Sequence, residues 1–103
     1  MTVADEHPDP VIQQFRRQIS DNDRLLVDAL NRRLELVARL KAYKESRGFE
    51  FVDPEREEWM LRDLLRANRG PLSDEGLESI YARVLELTKD EVAKREGAKA
   101  SRT

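Results

Sequence analysis

Arg33 and Lys44 are 11 residues apart. On a regular helix that spacing leaves them about 20° apart around the axis and about 16 Å apart along it. Val37 and Leu40 lie between them on the same face. Two cations bracketing an apolar patch frame a small dianion with an apolar middle. Long cationic side chains also flank helical seams with their heads in water, and the spacing is compatible with either role. Arg16 lies about 25 Å before Arg33 on the same helix, too far to share a small-molecule site within one chain. Further on, Asp53-Pro54 has the form of a helix opening, and Arg56 and Glu57 follow in the first turn. Free N–H groups there, with Arg56, add positive potential, and Glu57 offers an acceptor for a hydroxyl. A solvated first turn with local ion pairing accounts for the same two residues, and such pairs contribute little. Asp53 is also explained as a helix cap, and Thr88 as a residue bonding its own backbone.

Three helices must position these groups. Residues 1–9 are polar, with Pro8 near their end, and are expected to form a flexible arm. Asp9-Pro10 opens the first helix, with Asp as cap and Pro in the first helical position. Ile12, Phe15, Ile19, Leu26, Leu30, Val37, Leu40 and Tyr43 recur at steps that suit one face of a helix. Nothing interrupts them before Gly48, so a helix is predicted over about 10–46, roughly 55 Å long. A domain of this size has a radius of gyration of about 13 Å, so two shorter helices cannot cover the whole stripe. A homodimer through the long helix is expected. If two copies cross antiparallel near residue 28, Arg16 of one is level with about residue 40 of the other. That is between Arg33 and Lys44, and the crossing would complete a three-cation pocket at each end.

The second helix starts at Asp53-Pro54, carries Met60, Leu61, Leu64 and Leu65, and stops before Arg69-Gly70-Pro71. The third opens at Ser73, with Asp74 and Glu75 favourable in its first turn. Its stripe is Leu77, Ile80, Tyr81, Val84, Leu85, Thr88 and Val92. The expected domain spans 10–96, with 97–103 as a frayed tail. The fold class is all-α: one long and two shorter helices forming an intertwined homodimer.

Composition narrows the chemistry further. Of the 103 residues, 39% are apolar and 39% charged, which suits helices with one apolar stripe and wide solvated faces. The net charge of -2 gives no strong field for nucleic acid or an anionic membrane. With no Cys and His7 as the only His, disulfides and thiolate metal sites are excluded and a zinc or haem site is not expected. No signal peptide or 18-residue apolar run is evident, so a soluble, cytoplasmic protein is expected.

Taken together, these residues resemble the all-helical chorismate mutases of the AroQ class, from about Phe15 to Val92. The pattern Arg-x-x-Ile-x-x-x-Asp, Leu-x-x-Arg, Lys, Asp-x-x-Arg-Glu is met by Arg16, Ile19, Asp23, Leu30, Arg33, Lys44, Asp53, Arg56 and Glu57. The resemblance implies a Claisen rearrangement of chorismate to prephenate in aromatic amino acid biosynthesis, with no cofactor and no metal. Arg16 from the partner chain and Arg33 would hold the two carboxylates of this dianionic substrate. Lys44 would bind a carboxylate and the ether oxygen. Glu57 and the Asp53 backbone would hold the ring hydroxyl, with Arg56 at the same face. Thr88 stands where the family often has Ser, so a hydroxyl survives to meet a carboxylate.

Val92 departs from the pattern. The family usually has Gln or Glu there, as a second donor to the ether oxygen, and Val cannot donate. Removing one such donor typically costs about 10²–10³-fold in rate. The departure fits a weak mutase, or one activated by a shikimate-pathway enzyme, or a mutase acting on 4-amino-4-deoxychorismate, whose ammonium suits Glu57. A shift of the third helix that brings in another side chain fits as well. Outside these, the rivals are a non-catalytic helical dimerisation module, a three-helix nucleic-acid binder and a lyase acting on isochorismate.

Overall fold

The structure, a computed structural model, describes residues 6–101, with side chains through Glu96. Three helices follow in order: α1 (Pro10–Ser46), α2 (Pro54–Ala67) and α3 (Asp74–Ser101). No strand occurs among the described residues. The chain divides into two compact units, one through Glu35 and one from Leu36 onward, so α1 contributes to both.

In the first unit, Asp9 caps α1. Its carboxylate accepts the Val11 N–H at 2.8 Å, and its carbonyl accepts the Gln13 N–H at 3.0 Å. The segment before it is tied in place as well. The His7 N–H donates to Gln13 Oε1 at 2.7 Å, and the Asp9 N–H donates to His7 Nδ1 at 3.1 Å. These contacts fall within residues 6–9 of the expected arm; residues 1–5 lie outside the described residues. No residue of α1 is buried. Phe15 and Ile19 are each 60% exposed, and Leu26 and Leu30 are exposed too. The periodic stripe is present, and among the described residues none of its members on α1 is buried.

The second unit holds the core. Tyr81, Thr88 and Val92 of α3 are buried, and Met60, Leu61, Leu64 and Leu65 of α2 are partly shielded. These are the residues the 3.6 period places on one face of each helix, and α2 and α3 pack against each other. Ile80, assigned by the pattern to the α3 stripe, is instead 54% exposed. Ser73 caps α3: its Oγ accepts the Gly76 N–H at 3.0 Å and its carbonyl the Leu77 N–H at 2.9 Å. The α2–α3 link turns at Gly70, whose φ of 75° favours glycine, and the Gly70-Pro71 bond is cis. At its far end α3 continues to Ser101, covering part of the stretch expected to be a frayed tail. Among the described residues, no helix is long and apolar enough to cross a membrane.

Candidate active site

The first unit contains Arg16 and Arg33, both on α1 and both partly shielded. The second unit contains Lys44, Asp53, Arg56, Glu57, Thr88 and Val92, and local chain chemistry sets their geometry.

Lys44 owes its position to Gly48. The Phe49 N–H donates to the Lys44 carbonyl at 2.8 Å, and the Gly48 N–H donates to the Glu45 carbonyl at 3.2 Å. This is the paired closure of a Schellman motif, with Gly48 at φ 75° in the left-handed position that glycine tolerates. The closure turns the chain back, so the Lys44 ammonium donates to the Phe51 carbonyl at 3.3 Å. Lys44 is therefore held at both its backbone and its side chain, the latter by a carbonyl two residues before the cap of α2. The helix C-terminus also favours a cation at this place.

Lys41, one turn earlier, takes no part in the sequence-derived site, yet it too is enclosed. Its side chain is 16% exposed and forms an ion pair with Glu96 of α3. It also lies 5.3 Å from the centre of the Phe51 ring. One residue, Phe51, thus meets both lysines: Lys44 through its carbonyl and Lys41 through its ring.

Asp53 is the cap of α2. Its backbone is extended (φ -135°, ψ 90°), its carboxylate accepts the Arg56 N–H at 3.2 Å, and Pro54 follows it. The Asp53 carbonyl accepts the Glu57 N–H at 3.1 Å. Arg56 and Glu57 then diverge. The Arg56 guanidinium lies over the Trp59 ring, 4.7 Å from its centre. Glu57 forms an ion pair with Lys89 of α3 at 2.9 Å. These two contacts replace the local Arg56–Glu57 pairing that would explain two such neighbours most simply.

On α3, the Thr88 hydroxyl donates to the Val84 carbonyl at 2.7 Å, the back-bonding expected for a mid-helix threonine. Val92 is 2% exposed. The side chain is enclosed and has no donor to offer. Between α2 and α3 runs a groove of about 260 Å³ that includes Pro54, Glu57, Leu61, Tyr81 and Leu85 in its lining.

The structure brings Lys44 to the segment that leads into the α2 cap, and Glu57 to α3. Sequence reasoning missed Lys89 and Lys41. Lys89 is next to Thr88, about 100° off the apolar stripe, so the periodicity assigns it to solvent. Lys41 faces a partner 55 residues away, and no local pattern reports such a contact.

The geometry can now be set beside known proteins. The bifunctional chorismate mutase/prephenate dehydratase of Stutzerimonas stutzeri is 28% identical to this chain over 90 residues. The match covers 82% of this chain and 23% of that protein, so the chain spans about a quarter of the relative's length. No solved structure matches the chain. The pattern that defines chorismate mutase type II matches residues 15–92, most of the chain and all of the segment from Arg16 to Val92. On that match, the chain belongs to the chorismate mutase type II family.

Proposed function

We propose that the chain is a chorismate mutase, an isomerase that rearranges chorismate to prephenate by positioning and electrostatic stabilisation. The observation that carries the proposal is the turn at Gly48, which ties the Lys44 ammonium to the Phe51 carbonyl just before the capped start of α2. Family membership over residues 15–92 supports it. The rearrangement breaks a C–O bond as a C–C bond forms, with no proton transferred and no covalent intermediate. The protein has only to hold a flexible dianion in its compact form and stabilise charge growing on the ether oxygen. Lys44, held at both ends, is the group assigned to that oxygen. Glu57 accepts from the ring hydroxyl, beside the Asp53 backbone. Arg33 holds a carboxylate, Arg56 adds positive potential, and Thr88 supplies a hydroxyl. An acceleration of about 10⁶-fold corresponds to roughly 8 kcal/mol.

The working form is an intertwined homodimer. Its support is α1, which buries none of its residues and leaves Phe15, Ile19, Leu26 and Leu30 exposed in the single chain. An apolar stripe of this kind marks an interface. In the antiparallel crossing, Arg16 is donated across to the other chain's site and holds the second carboxylate. Adding the purified protein to chorismate, following the loss of its ultraviolet absorbance and identifying the product tests the activity. Prephenate is expected. A folded dimer that leaves chorismate unchanged refutes the proposal, and a monomer by light scattering refutes the shared site.

A further inference from the structure

We infer that Lys89 sets the substrate preference of the site, making Glu57 an acceptor for a neutral hydroxyl rather than a counter-ion for an ammonium. The inference rests on the mutase function proposed above and deepens it.

Glu57 is the carboxylate assigned to the substrate's ring substituent. An unpaired carboxylate there would favour a cationic substituent over a neutral one. Glu57 is not unpaired: the Lys89 ammonium lies 2.9 Å from its Oε1, reaching across from α3. The pair is close to neutral as a unit. The carboxylate still has lone pairs on Oε2 and keeps its capacity to accept an O–H bond. A hydroxyl therefore still finds an acceptor beside Lys89. A substrate ammonium at the same place meets a second fixed cation and must share one carboxylate with it.

Glu58 and Glu78 line the same groove and pull the other way. Both are exposed, so water and salt screen them, whereas Lys89 is in direct contact with the group that meets the substrate. The Lys89 and Glu57 side chains are 43% and 30% exposed. With that much solvent, one added charge at contact range changes relative binding by about tenfold.

The test compares kcat/KM for chorismate and for 4-amino-4-deoxychorismate in the native protein, Lys89→Gln and Lys89→Arg. The native protein should favour chorismate. Lys89→Gln should raise the ratio of amino to hydroxy substrate by about tenfold, mainly through KM, because the removed charge acts on binding. Lys89→Arg keeps the charge and should restore the native ratio. Lys89 is exposed enough that the Gln variant should melt with the native protein, which circular dichroism checks. A ratio unmoved by Lys89→Gln, with both substrates turned over, overturns this inference alone. So does a native preference for the amino substrate. Turnover of neither substrate overturns the mutase proposal, and this inference with it.

Discussion

Val92 offers the sharpest test of how this site is built. The side chain is 2% exposed and stands where relatives of this family are expected to carry a donor to the ether oxygen. Replacing it with Gln has two opposed effects. In the empty protein the new amide takes a position that is 2% exposed, and a buried polar group without a partner costs about 1–3 kcal/mol. For a domain of this size, each kcal/mol lowers Tm by about 4–8 °C. With substrate bound, the amide gains an acceptor. One added donor in a preorganised site is worth about 10²–10³-fold in rate. Val92→Gln should therefore melt earlier than the native protein yet turn over chorismate faster. Val92→Ala separates the effects, since it also destabilises but adds no donor, and its rate should not rise. Thermal melts by circular dichroism and initial rates read both quantities on the same samples. A Gln variant as stable as the native protein refutes the enclosure of position 92. A folded Gln dimer with unchanged or lower turnover refutes the missing donor.

Other outcomes follow from the same site. Mixing an Arg16→Ala chain with an Arg33→Ala chain should restore part of the activity, because one site in each mixed dimer escapes both lesions; no recovery after confirmed subunit exchange refutes the shared site. Lys44→Ala should nearly abolish turnover with helicity intact, and a mild loss would reduce Lys44 to a seam residue. Asp53→Ala removes the acceptor for the Arg56 N–H and should cost about 1 kcal/mol of stability; an unchanged melting temperature in denaturant or heat would show that α2 does not depend on its cap.

Helix boundaries were legible because their chemistry is local. The Asp9-Pro10 opening, the stop before Gly48, the Asp53-Pro54 opening and the Ser73 cap all involve residues within a few positions of each other, and the helices start and end there. Burial was legible only in part. Tyr81, Thr88 and Val92 face inward as their period requires, while Ile80, on the same stripe, is exposed. A 100° step defines a face but not how wide a strip the neighbouring helix covers. At its far end α3 runs to Ser101, into the stretch read as a frayed tail, and a single glycine such as Gly97 costs a helix only about 1 kcal/mol. The contacts made by Lys41 and Lys89 were not legible, since each pairs with a residue on another helix. Periodicity places such cations in water and does not record what else comes near.

The anchoring of Lys44 has a consequence for mutation. Its partner is a main-chain oxygen, which every residue type carries. Substitution at position 51 can remove the ring that lies against Lys41, but it leaves an acceptor for Lys44. A saturation library at this one position would therefore loosen the tie between α1 and the 51 ring while sparing the lysine assigned to the chemistry. The dependence lies instead at Gly48, where a side chain would meet nothing within 4 Å and the backbone angle alone restricts the choice. Tolerance and vulnerability are thus separated by three positions along one short turn, and neither resides in the lysine itself.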